Sequence, residues 1–203
     1  MEPGILDLCA AALAKMEAMG AIVEVLPPPF PAEKLWSSWT TLRAMLNAGG
    51  FRAIYDQPDK RAQLKPETLW EIEQGRTLSA QAVYEASVIR SRYYAHMARL
   101  FERFDAVVLP TAQVWPFPVE WRWPQAINGR AMDTYHRWME VVIPVSLAGL
   151  PSLNIPVGFG PQGLPMGMQL FGAYGNDAKV LAMGQQYHRA TDWPGQNPPQ
   201  IRG

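Results

Sequence analysis

Between residues 5 and 19 the apolar positions fall at Ile5, Cys9, Ala12, Leu13, Met16 and Met19, a spacing that predicts a one-faced helix. Gly20 follows as its expected cap, since glycine takes the left-handed conformation without a side-chain clash. Residues 21–26 (AIVEVL) then predict a short buried strand, stopped by Pro27, Pro28 and Pro29. Helix, glycine turn and strand in that order form half of an α/β unit. The strand that should lead into the helix has no counterpart, so the chain is expected to enter a repeating β-α-β pattern midway. A second helix is predicted over residues 31–47, with Leu35, Trp39, Leu42 and Leu46 on one face and Gly49-Gly50 closing it. Residues 56–65 are polar and read as a loop. Residues 66–74 predict a short helix with proline at its first position and Gly75 after its last.

The longest periodic segment is 79–103, where Ala82, Ala86, Ile89, Tyr93, Met97 and Leu100 keep helical spacing and Ser79 is placed to cap. A buried strand, residues 105–110 (DAVVLP), comes directly after it, a second helix-to-strand passage that points to an α/β fold. Residues 110–124 (PTAQVWPFPVEWRWP) cannot form regular pairing through Pro116 and Pro118, yet they hold Trp115, Phe117, Trp121 and Trp123. A helix is predicted over 132–142. Residues 144–172 alternate short apolar runs with prolines and glycines, which excludes one long helix and predicts two buried strands, 152–157 and 166–171, joined by a turn at 158–165. Residues 177–190 give a last amphipathic helix, and the Pro- and Gly-rich tail from 193 to 203 reads as irregular. With no internal repeat and no flexible linker, residues 1–203 are expected to form a single domain.

Composition narrows the function. A chain of 203 residues can bury roughly 70% of its unfolded surface. Lysine plus arginine equals aspartate plus glutamate at 18 each, without the basic excess of a dedicated nucleic-acid binder. No apolar run approaches the roughly 20 residues needed to span a bilayer, so no membrane association is expected. Glu2 and Asp7 stand where a secretory signal would carry basic residues. Cys9 is the one cysteine, which leaves no disulfide framework and no thiolate pair for a metal. A cytoplasmic protein is expected, without cofactor or metal.

Candidate chemistry is sparse. Residues 158–163 (GFGPQG) match the dinucleotide fingerprint GxGxxG, but that motif works by starting a helix that aims amides at a pyrophosphate. Pro161, Pro165 and the apolar run that follows predict a hairpin-like turn instead. No serine lies in G-x-S-x-G, and no S-x-x-K or H-E-x-x-H is present. Ser146 and Ser152 flank Gly149 without a lysine or histidine nearby in sequence; a structural role is expected for both, with spatial partners left open. His96, His136 and His188 are isolated and read as helix-surface residues, and Cys9 as core. The aromatic-proline loop has two compatible readings. Its rings tile a surface where a further part of the protein docks, or some of them line an apolar substrate pocket beyond a strand end.

Residues 104–111 (FDAVVLPT), 149–158 (GLPSLNIPVG) and 163–172 (GLPMGMQLFG) together resemble the amidase signature family. Residues 13–25 (LAKMEAMGAIVEV) resemble that family's helix-and-strand unit, and 187–193 (YHRATDW) its last helix, so the resemblance runs in order along almost the whole chain. It implies a three-layer α/β/α fold with a mixed central sheet and hydrolysis of carbon–nitrogen amide bonds. The family's catalysis uses a serine nucleophile, a second serine on a cis peptide, a lysine base and a glycine-rich oxyanion loop, an activated-serine acyl transfer. Nothing here matches the segment that carries those groups; residues 47–50 (NAGG) lack a serine.

The expectation is therefore the C-terminal portion of an amidase, an incomplete fold with no catalytic residue of its own. Its partners would be the missing N-terminal half or a partner subunit, together with a small-molecule amide. Thr111 and Trp115, just past the C-terminal end of the 105–110 strand, are the expected substrate-binding residues. The pattern is also compatible with a homodimer. Two other classes stay open: a stand-alone non-catalytic domain that binds small molecules or another protein chain, and an amidotransferase A-subunit-like fragment.

Overall fold

A computed structural model describes residues 1–196 and 198. The chain divides into two compact units, one built from Met1–Pro27 and Ala98–Gly203, the other from Pro28–Met97.

The first unit opens with α1 (Ile5–Ala18), which ends as predicted at Gly20, where φ is 97° and the Ala21 N–H reaches back to the Met16 carbonyl at 3.0 Å. Three strands, β1 (Val107–Pro110), β4 (Ser152–Phe159) and β5 (Pro165–Phe171), form its main sheet in the order β1–β5–β4, antiparallel throughout. The central strand β5 pairs Gln169 with both Leu109 and Asn154. Ile155, Val157, Met166 and Met168 of β4 and β5 close a core with Ile5, Cys9 and Ala12 of α1 and with Tyr187 of α8 (Asp177–Thr191). Each large side chain buried there contributes about 1.5–3 kcal/mol. Pro156 is tolerated because β4 is an edge strand, and the register shift between Pro156 and Gly158 bulges it.

The turn at 160–164 is a hairpin connection, with Gly160 N–H donating to the Leu164 carbonyl at 2.8 Å. It joins two antiparallel strands, so no helix start exists there to receive a pyrophosphate. On the loop side, a minimal hairpin of β2 (Ala126–Ile127) and β3 (Arg130–Ala131) turns through Asn128 and Gly129, both at positive φ, 46° and 79°. A 3-10 helix (Arg137–Val142) leads into α7 (Ile143–Ala148), which ends at Gly149 in the left-handed region. The last element, α9 (Trp193–Gln196), lays Trp193 across the Gly158 bulge; its indole N–H donates to the Tyr187 hydroxyl at 3.4 Å.

The second unit is helical: α2 (Ala32–Gly50), α3 (Arg52–Tyr55), α4 (Pro58–Arg61), α5 (Pro66–Arg76) and most of α6 (Ala80–Leu100). Ser79 caps α6 as predicted, accepting the Ala82 N–H at 3.1 Å. Buried Ser38 donates to the Ala86 carbonyl at 2.7 Å. Buried Glu71 takes Arg43 at 2.6 Å and the Asn47 amide at 2.5 Å.

Four sequence expectations change. Residues 21–26 form no strand: Ile22 and Val25 are 92% and 95% exposed, because a strand needs a neighbour to exchange hydrogen bonds with and none of the described residues supplies one. Helix α2 does close at Gly49-Gly50, its last two residues, but α5 takes in Gly75 and ends one residue later at Arg76, and α4 occupies part of the expected 56–65 loop. The helix expected over 132–142 begins only at Arg137 and is of the tighter 3-10 kind. The tail starts with a helical turn, α9, and its remaining residues, apart from 198, lie outside those described.

Candidate functional site

The C-terminal end of β1 and the start of β5 meet at Thr111, whose backbone N–H adds one more rung by donating to the Gly167 carbonyl at 3.1 Å. Its hydroxyl donates to the side-chain oxygen of Asn154 on β4. Gly167 lies beneath that carboxamide, and a β-carbon there would overlap it. Thr111 thus bridges both edge strands of the sheet across β5.

Beyond Thr111 the chain turns into the aromatic-proline loop, which the structure holds at fixed points. The Trp115 N–H donates to a Glu2 carboxylate oxygen at 2.6 Å, and its indole N–H to the Pro3 carbonyl at 3.1 Å. The Glu2 N–H returns a bond to the Gln113 carbonyl at 2.8 Å. The Gln113 side chain also accepts from the Val141 N–H at 2.9 Å, while buried Gln169 on β5 donates to the Pro110 carbonyl at 2.8 Å and the Val141 carbonyl at 3.4 Å. These two glutamines fasten the 3-10 helix to the end of β1 and so fix Trp138. Phe117 packs edge-on against Trp138, ring centroids 5.4 Å apart, over a small second core of Val114, Ile127 and Met132.

Between these groups lies a cavity of about 230 Å³, lined by Thr111, Trp115, Phe117, Trp138 and Met166 among others, its wall almost wholly apolar. The structure brings both expected residues, Thr111 and Trp115, to this one cavity. It also gives each a bonding partner in the fold, so neither offers a spare donor. Trp138, Met166 and Gly167 line the cavity too, and sequence reasoning does not reach them individually. The crowding of aromatic residues in the interval from Trp115 to Trp138 is the available signal.

The remaining candidates do not converge. Ser146 on α7 and Ser152 at the start of β4 are exposed, and neither is hydrogen-bonded to a lysine amine or a histidine ring among the described residues. Cys9 is buried in the main core, and burial pushes its thiol pKa up, away from the reactive thiolate. His188 is exposed on α8 and His96 is half-buried on α6 with its ring edge-on to Phe30. His136 departs from the expectation of a helix-surface residue: it is buried, immediately before the 3-10 helix, against Tyr135. No group of three His, Cys, Asp or Glu among the described residues is placed to hold a metal, and no described helix is long and apolar enough to cross a membrane.

The family model described as Amidase matches residues 1–181. The chain belongs to the amidase family. The A chain of the glutamyl-tRNA(Gln) amidotransferase of Thiobacillus denitrificans is 38% identical to it over 115 residues, 56% of the chain and 22% of that protein. Its counterpart in Chloroflexus aurantiacus is 28% identical over 222 aligned positions, 98% of the chain and 43% of that protein. Among solved structures, a bacterial aryl acylamidase of the amidase signature family superposes with a TM-score of 0.84 at 24% identity, over 96% of this chain and 42% of that one. The chain therefore has the amidase-signature α/β fold, and its main sheet among the described residues is three antiparallel strands. It spans less than half the length of these relatives.

Proposed function

We propose that the chain is the C-terminal part of an amidase that hydrolyses carbon–nitrogen amide bonds, supplying sheet core and one wall of the substrate pocket. Alone it is inactive. The observation that carries this reading is a family match over residues 1–181 joined to a pocket wall without an activated serine. Acyl transfer by serine needs a base within hydrogen-bond reach and donors aimed at the oxyanion. The exposed Ile22 and Val25 favour association with further polypeptide, because apolar β-branched side chains left outside a sheet are what a neighbouring strand covers. Thr111 and Trp115 are the proposed substrate-side residues, acting through shape rather than through free donors.

The test has two parts. The coding sequence upstream of Met1, or a separately encoded partner, is expected to supply a lysine and a Gly/Ser-rich segment; their absence from both ends the reading in favour of a non-catalytic binding domain. The purified 203-residue chain is expected to show no amide hydrolysis. Turnover by that chain would return the search to Ser146 and Ser152. A second reading, an amidotransferase A-subunit-like piece, is favoured by the names of the relatives.

A further inference from the structure

Resting on the amidase reading, we infer that the cavity at the end of β1 receives the apolar group of the substrate, a monocyclic aryl or compact alkyl substituent of the amide. Size is the first argument. The cavity measures about 230 Å³, and an apolar cavity of roughly 150 Å³ accommodates benzene. One ring with a short substituent fits within it.

The second argument is the state of the polar groups around it. The Trp115 indole N–H is taken by the Pro3 carbonyl, the Thr111 hydroxyl by Asn154, and the side-chain amides of Gln113 and Gln169 are turned to backbone carbonyls. The indole N–H of Trp138 is buried out of reach of a water-sized group. A charged or strongly polar substituent entering this space would give up its water without replacement, whereas an aryl ring gives up only unfavourable hydration and gains contact with Trp115, Phe117 and Trp138.

Rigidity is the third. Trp138 is anchored by the glutamine contacts to its 3-10 helix, and Trp115 is seated on Gly160, so the slot is formed before a ligand arrives.

The experiment titrates the 203-residue chain with three neutral or zwitterionic amides, acetanilide, acetamide and glutamine, following tryptophan fluorescence and ligand-observed NMR. Acetanilide is expected to bind about ten- to a hundredfold tighter than acetamide, the difference one buried ring makes, with glutamine no better than acetamide. Ala112→Leu, which enlarges a side chain of the cavity wall, is expected to weaken acetanilide roughly tenfold while the circular dichroism spectrum stays unchanged. Acetanilide binding no tighter than acetamide, or glutamine binding tighter than acetanilide, overturns the inference. So does a folded Ala112→Leu chain with undiminished acetanilide affinity. If that variant does not fold, the three-ligand comparison on the unaltered chain decides alone. Because binding is read without turnover, a failed search upstream of Met1 removes the amidase reading and leaves this comparison standing. Equal binding of the amides removes the substrate class and leaves family membership intact.

Discussion

Gly160 and Trp115 are in such close contact that a β-carbon on Gly160 would meet the indole Cζ3 at 2.6 Å. The glycine sits in the β4–β5 turn and the tryptophan in the aromatic-proline loop, so this contact sets how far the pocket wall can lie from the sheet. Gly160→Ala is expected to destabilise by about 1–3 kcal/mol, as overpacking of a filled site does. For a chain of this size that lowers Tm by several degrees. It is also expected to weaken acetanilide binding by displacing the ring. Trp115→Phe in the Gly160→Ala background should restore part of the lost stability, a non-additivity that a double-mutant cycle measures. Additive losses would mean that the two residues do not share the site.

Gly75 tests the same physics in the helical unit. A β-carbon there would overlap the Ala44 carbonyl and approach the Ala48 β-carbon at 2.7 Å, which is why α5 lies so close to α2. Helix propensity alone would make Gly75→Ala stabilising by about 1 kcal/mol. The obstacle is backbone rather than a side chain that can swing away, so overpacking is expected to win. The net effect expected is a loss of about 1–3 kcal/mol in urea denaturation. A gain in stability would show that the helices separate freely.

Glu71 is buried and holds the half-exposed Arg43 and the Asn47 amide. Its replacement separates charge from shape. Glu71→Gln keeps both contacts as neutral hydrogen bonds and is expected to cost about 1 kcal/mol. Glu71→Ala strands the Asn47 amide and is expected to cost about 2–4 kcal/mol, discounted from the value for a fully buried pair because Arg43 reaches water. Equal costs for the two variants would assign the whole effect to the lost charge.

These contacts also show what the sequence could convey. Periodicity locates α1, α6 and α8 because each buries one face, whereas β4 and β5 show as short apolar runs bounded by proline and glycine, β5 being buried on both faces. Glycine is ambiguous. The same residue ends α1 at Gly20 by adopting positive φ, yet permits close approach at Gly75 within the last turn of α5, and the position of Ala44 distinguishes the two. Residues 21–26 carry a strand's composition but lack a ladder partner, and pairing is not a local property. Asn128-Gly129 is a two-residue hairpin signal, yet the strands beside it are two residues each, too short to show alternation.

The pocket is half legible for a related reason. Thr111 and Trp115 follow a strand end directly, so a general rule about crevices beyond strand termini reaches them. Trp138 and Met166 arrive from elsewhere in the chain through Gln113, Gln169 and the β1–β5 register. No spacing rule encodes those bonds.

Tyr93 supplies a prediction in pH. It is 1% exposed in the helical unit, edge-on to Phe30 at 5.5 Å, and burial pushes its phenol up to about 12 from an ordinary 10. Below pH 10 the phenol is protonated in both folded and unfolded chains and its burial imposes no pH dependence. Between 10 and about 12 the unfolded chain releases the proton that the folded chain retains, so stability falls as pH rises through that window. Tyr187 in the other unit is raised in the same direction, chiefly by burial, and adds to the slope. Urea midpoints measured upward from about pH 9 are expected to decline above 10, and Tyr93→Phe, which keeps the ring and removes the ionising group, is expected to flatten the decline. A Tyr93→Phe chain with an unchanged alkaline slope would place the sensitivity elsewhere, in the lysines or in Tyr187 itself.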